Sequence, residues 1–142
     1  MITYQYLAGF LDGEGCFTIN FSKSKKRIQG QYSIFVQVAL TDFNLLNEIK
    51  NQYGGSIYKM KRRSPKHNNC WLWKVCSREA VKLVKNVYPY LILKKSQAKL
   101  ILSFDKTISS INTGKGLTKN VVTLRQKIKN KLSYLHKHKK KL

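Results

Sequence analysis

Acidic residues are nearly missing from this chain. Its 142 residues hold 6 Asp and Glu against 28 Lys and Arg, a formal charge of +22. A chain so self-repelling is built to meet a polyanion. Long apolar runs are missing too. No stretch of about 18 apolar residues exists, which excludes a membrane-spanning helix. The basic residues are spread along the chain rather than gathered on one amphipathic helix, which argues against a membrane surface. Cysteine is scarce and odd in number. Cys16, Cys70 and Cys76 form neither a CxxC pair nor a zinc pattern, and His67, His136 and His138 do not complete one. They read as small half-buried thiols of a reducing compartment. The first residues, Met1 to Gln5, lack a basic segment followed by an apolar one, so no secretory leader is expected. A protein made inside an organelle would lack one as well. The location stays open between chloroplast, mitochondrion and bacterial cytoplasm.

What is present suffices for a core, because 42% of the residues are hydrophobic. Tyr4 to Asp12 predicts a short helix, stopped by Gly13 and Gly15. Cys16 to Ser22 alternates, with Phe17, Ile19 and Phe21 on one face. Lys23 to Gly30 reads as a basic turn. Gln31 to Leu40 alternates again, with Tyr32, Ile34, Val36 and Val38 facing the core. The two runs make a hairpin. Thr41 or Asp42 caps a helix over Phe43 to Tyr53, ended by Gly54 and Gly55. Ser56 to Lys61 and Cys70 to Cys76 predict two more strands, joined by a basic loop holding Pro65. Trp71, Trp73 and Val75 share the core side of the last strand. Ser77 is expected to cap a helix over Arg78 to Val87, which Pro89 breaks. Lys94 to Ile108 and Val121 to Leu135 predict further helices around a loop at Ile111 to Thr118. The end, His136 to Leu142, is a charge run expected to fray. The class is α+β: an antiparallel sheet with helices on one face.

The hairpin's outer face is polar but uncharged: Thr18, Asn20, Ser22, Gln31, Ser33 and Gln37, with Phe35 an unexplained exception. No carboxylate lies between Cys16 and Leu40. Asn and Gln amides suit base edges in the major groove, and a twisted two-stranded ribbon fits that groove. Lys59, Lys61 and Arg63 are expected to continue this face on the third strand and Lys74 on the fourth. Lys23, Lys25, Lys26, Arg27 and Gln29 of the turn join the same DNA-binding set. A merely solvated face of a lysine-rich protein is the alternative.

One segment carries a family likeness. Leu7-Ala8-Gly9-Phe10-Leu11-Asp12-Gly13-Glu14-Gly15 resembles the signature of the LAGLIDADG homing endonucleases. The αββαββα order resembles that family's core fold, and Tyr88 to Ala98, with its Pro89, Leu93, Lys94, Gln97 and Ala98, resembles the segment that opens its following helix. The likeness covers about residues 3 to 110. It implies one domain over 1–142, with a helical extension at about 118–136 and a basic tail at 137–142. Gly9 and Gly13, four apart, fall on one helix face and let two backbones approach. With one motif per chain, the resemblance implies a homodimer about a two-fold axis, with Leu7, Ala8, Gly9, Phe10, Asp12 and Gly13 at its interface. It further implies Glu14 as the metal-binding catalytic acid, the Gly13 carbonyl as an added ligand, Lys94 as a catalytic lysine, and Mg²⁺ or Mn²⁺ as the cofactor. Asp12 is left a structural, hydrogen-bonding role. The family's glutamine near the end of the second strand is replaced here by Leu40, with Gln37 nearby.

The expected function is metal-dependent cleavage of double-stranded DNA at a long pseudo-palindromic site by an intron-encoded homodimer. An RNA maturase of the same fold, acting on intron RNA, is the first alternative. A basic structural RNA-binding protein is the second; it explains the charge but not the motif.

Overall fold

A computed structural model of the chain describes residues 1–24, 27–109 and 119–138, without the side chains of 24, 27–29 and 109. The turn residues Lys25 and Lys26, the side chains of Arg27 and Gln29, the loop at 111–118 and the tail beyond 138 lie outside the described residues. The elements run α1 (Tyr4–Glu14), β1 (Gly15–Ser24), β2 (Arg27–Leu40), α2 (Phe43–Tyr53), β3 (Ser56–Lys59), β4 (Trp71–Cys76), α3 (Ser77–Val87), a 3-10 turn (Tyr88–Tyr90), α4 (Lys95–Ser109) and α5 (Lys119–His138). The four strands form one antiparallel sheet in the order β1-β2-β4-β3.

Alternation in the sequence becomes two unlike sheet faces. Phe17, Ile19, Ile34, Val36, Val38, Trp73 and Val75 are buried on one side. Helices α1, α3 and α4 lie over them, with Leu7, Ala8, Leu11, Ala80, Val84, Val87, Ala98, Ile101 and Phe104 filling the core. Each large apolar side chain removed from water in this way contributes about 1.5–3 kcal/mol. Trp73 is wholly buried, and its indole N–H donates to the Gly54 carbonyl at 2.9 Å. Gly55 lets this happen. It takes a φ of 90°, and a Cβ there would stand 2.7 Å from the Lys74 carbonyl oxygen. Asp42 caps α2 by accepting from the Leu45 N–H at 2.9 Å. Helix α5 closes the far end. It packs on α4 and β1; buried Arg125 donates to the Thr107 hydroxyl at 3.0 Å, and Gln126 accepts from the Tyr32 hydroxyl at 3.0 Å. Burial lowers the Arg125 pKa, but a guanidinium remains charged all the same.

Several boundaries differ from the sequence expectation. Helix α1 does not stop at Gly13; it runs through Gly13 to Glu14, and the Gly15 N–H closes the last turn on the Leu11 carbonyl. The hairpin is longer than the basic turn suggested. β1 reaches Ser24 and β2 starts at Arg27, with a register shift between Ser22 and Ser24. Gly30 lies within β2 at a φ of 70°, where a Cβ would strike the Phe21 ring. Ser77 is no cap. It is the first residue of α3, at a φ of 55°, and no side chain among the described residues caps that helix. β3 ends at Lys59 and so excludes Lys61. α5 continues through His138, where fraying was expected from His136.

Candidate nucleic-acid interface and catalytic junction

The end of α1 is where long-range polar bonds converge. The Asp12 carboxylate accepts from the Ile92 N–H at 2.8 Å and from the Lys94 N–H at 2.9 Å, one oxygen for each. This fixes the strap between the 3-10 turn and α4 against the helix. Lys94 returns the tie. Its side chain is 3% exposed, and its ammonium donates to the carbonyls of Leu11, at 2.8 Å, and Gly15, at 2.5 Å. A cation at a helix C-terminus also complements the helix dipole. Lys94 thus lies behind the α1–β1 junction, not on the surface. With its ammonium on the Leu11 and Gly15 carbonyls, it holds the backbone on both sides of Glu14.

The few acids have separate tasks. Asp12 holds the strap and Asp42 caps α2. Glu48 lies 4.0 Å from the Met1 amino group and Asp105 lies 3.6 Å from the Lys85 ammonium. Glu79 stands in the first turn of α3, where the helix dipole favours an anion. Glu14 is exposed and has no hydrogen-bond or ion-pair partner among the described residues. In a protein with so little negative charge, one carboxylate is left aimed outward at the end of the motif helix.

Among the described residues no cluster of three or more His, Cys, Asp and Glu side chains gathers to hold a metal. One chain offers the Glu14 carboxylate and the Gly13 carbonyl beside it. Both are hard oxygen donors at an exposed place, a set that suits Mg²⁺ or Mn²⁺, which keep waters and take phosphate oxygens. Asp12 cannot join this set without releasing the strap.

The outward face of α1 differs from the interface expected. Leu7 and Ala8 are fully buried in their own core and cannot meet another molecule. Asp12 turns to the strap. The open face consists of Gln5, Tyr6, Gly9 and Gly13, with Phe10 at its edge, half-buried against the chain's own core, and a Cβ on either glycine would meet nothing within 4 Å.

The polar sheet face begins one residue beyond the junction. Strand register sets Cys16, Gln37, Lys74 and Ser56 in one row across all four strands. The next rows are Thr18, Phe35 and Cys76, then Asn20 with Ser33 and Ser22 with Gln31. Gln37, rather than Leu40, is the polar group near the junction; Leu40 turns to the core side opposite Trp71. Phe35 gains a role: the Lys74 ammonium lies 3.9 Å from its ring centre. Lys23 is exposed near the hairpin tip.

The third strand is a correction. Ile57 pairs with buried Trp73, so Lys59, two residues on, shares the core side and lies over the Trp71 ring at 5.7 Å. The residues of β3 on the polar face are Ser56 and Tyr58. Lys61 and Arg63 are exposed but lie beyond the strand in an irregular segment. The signal that could have placed them was the parity of Ile57. Neighbouring Tyr58 and Met60 blurred it.

The whole arrangement has known counterparts. A comparison with curated proteins finds no match. Among solved structures, the chain resembles the homing endonuclease I-CvuI in complex with its target in the presence of Ca, with a TM-score of 0.77 and 24% identity over 98% of this chain and 85% of that one. It resembles the archaeal intron-encoded homing endonuclease I-Vdi141I, complexed with DNA, at a TM-score of 0.75 and 18% identity over 92% of this chain and 82% of that one. Meganuclease I-SmaMI, bound to uncleavable DNA, aligns at a TM-score of 0.75 and 19% identity over 89% of this chain but 43% of its own length. The model of the LAGLIDADG endonuclease family matches residues 7–109, from the open helix face through the junction to the end of α4. The chain belongs to the LAGLIDADG endonuclease family.

Proposed function

We propose that two copies of this chain assemble along their α1 helices and cut both strands of a duplex DNA site, each copy reading one half. The observation that carries this reading is Glu14: exposed, without a partner among the described residues, and one residue before the strand that opens the polar sheet face. One carboxylate is a poor divalent-cation site alone. Two, brought together by a two-fold axis at the open glycine face, with phosphate oxygens of the DNA between them, make a fitting one. Bound there, the cation would neutralise the scissile phosphate and make water a stronger nucleophile. The chain's own groups bind and orient. Glu14 and the Gly13 carbonyl would hold the ion. Lys94, through the Leu11 and Gly15 carbonyls, fixes the direction in which the junction presents them. Asn20, Gln31 and Gln37 offer amides to base edges, and Lys23 and Lys74 offer charge to phosphate or guanine. I-SmaMI aligns with this chain over less than half its length, which fits a chain that supplies half of an assembly. Encoding within an intron is part of the same proposal.

The test is cleavage of a randomised duplex library by the purified chain with Mg²⁺ or Mn²⁺, with the cut ends sequenced. Cutting at one pseudo-palindromic family of sites is expected. Glu14→Gln should lower cutting by about a thousandfold or more while duplex binding stays within a few-fold, because the ion's several kcal/mol act in the transition state. Normal cutting by Glu14→Gln sinks the site assignment. Binding of structured RNA in preference to duplex would favour the maturase alternative.

A further inference from the structure

The strap beside α1 exposes two aliphatic side chains to a degree that its own fold does not explain. Ile92 is 89% exposed and Leu93 64% exposed, next to Tyr90 at 44%. They are not on a loose loop. The Asp12 carboxylate holds the backbone on both sides of Leu93, through the N–H groups of Ile92 and Lys94. A rigidly held, exposed apolar pair beside a site of chemistry is the mark of an interface.

Its position on α1 says what covers it. The open face of α1 has two flanks about its glycine seam. On one lie Phe10 and Tyr6, their rings stacked with centroids 6.5 Å apart. On the other lies Asp12, and with it the strap. For both Glu14 carboxylates to reach one duplex, two copies must run their α1 helices in the same direction, so the two-fold axis lies along the seam. Such an axis turns each flank towards the opposite flank of the other copy. We infer that Ile92 and Leu93 of one copy pack on Phe10 and Tyr6 of a second copy, so that the residues adjoining Lys94 belong to the dimer contact. The inference rests on the two-copy reading above and adds to it a second pair of contacts on either side of the glycine seam. Through Asp12, the same strap connects that contact to the backbone that carries Glu14.

Sedimentation equilibrium of the full chain tests this, because Ile92→Asp with Leu93→Asp alters exposed side chains and should leave the monomer folded by circular dichroism. The dimer Kd should rise about a hundredfold, the loss of two aliphatic contacts from water exclusion. An unchanged Kd overturns the inference and leaves the two-copy reading standing. A wild-type chain that is monomeric even on its DNA overturns both. Weaker DNA binding by a variant that dimerises normally would assign the strap to DNA and also overturn it. The flank geometry has its own readout. With Cys16, Cys70 and Cys76 replaced by Ser, a chain carrying Phe10→Cys and Leu93→Cys should oxidise to a covalent dimer, and neither single variant should. A dimer formed by Leu93→Cys alone would overturn the crossed pairing.

Discussion

The α1–β1 junction and the polar sheet face lie one residue apart and are built on opposite terms. At the junction, groups separated by some 80 positions in sequence are tied directly, and the Asp12 and Lys94 side chains are spent on the protein's own backbone. On the sheet face, the contacts between described side chains are few and stay within the face: Cys16 with Thr18 along β1, and Lys74 with Phe35 across β4 and β2. The first region is fixed so that one carboxylate points one way. The second leaves amides, hydroxyls and ammonium groups available to a partner. In the proposed reading, geometry for chemistry is stored in the fold, whereas the recognising groups are left unsatisfied until DNA arrives.

Four experiments put that contrast to the test. The largest effect should come from salt. With several phosphate contacts per copy, DNA affinity measured by fluorescence anisotropy should fall by about three orders of magnitude between roughly 50 and 200 mM salt. A flat response would remove DNA from the sheet face. Next is Lys94→Met. It leaves two carbonyls of the junction without their donor in a buried place, so thermal or urea unfolding should show a loss of about 3 kcal/mol, with cutting reduced and site preference kept. Gln37→Ala should do the reverse. Unfolding is expected to change little, while discrimination at one base pair of each half-site drops by about tenfold, the worth of a good amide contact to a base edge. The smallest effect belongs to Phe35→Leu. Losing the ring under the Lys74 ammonium removes an attraction of about 0.5–1 kcal/mol, so affinity should fall by a few-fold at most. If Phe35→Leu cost more stability than Lys94→Met, the division between the two regions would collapse.

The two regions were also unequally legible in the sequence. Alternation placed Phe17, Ile19, Ile34, Val36 and Val38 inward, because a strand with one buried face must repeat every second residue. A cap at Thr41 or Asp42 was readable because a short acceptor before a helical run has few other uses, and the structure selects Asp42. The junction was readable in its parts but not in its bonds. Nothing local to Asp12 tells that its partners are the N–H groups of Ile92 and Lys94. The glycines misled in a particular way. Gly13 resembles a helix stop, yet an exposed glycine inside a helix costs only about 1 kcal/mol, and the Lys94 ammonium holds the final turn together. Leu7 and Ala8 lie in the motif, but a motif crosses all sides of its helix; burial divides it into a core side and an open side. On the third strand, Lys59 was misplaced because one strongly apolar residue, Ile57, is too little to fix a parity.

Helix α5 has a bearing on how much of this chain is needed for it to fold. The family match ends at residue 109, before that helix begins. Yet Arg125 is buried against Thr107, its guanidinium beside the Phe104 ring at 5.4 Å, and Ile128 and Leu132 are part of the core. A fragment cut after α4 would keep every residue of the motif and bare an apolar wall next to Phe21 and Tyr32. Such a fragment should aggregate on expression, so the autonomous folding unit is larger than the segment by which its ancestry is recognised.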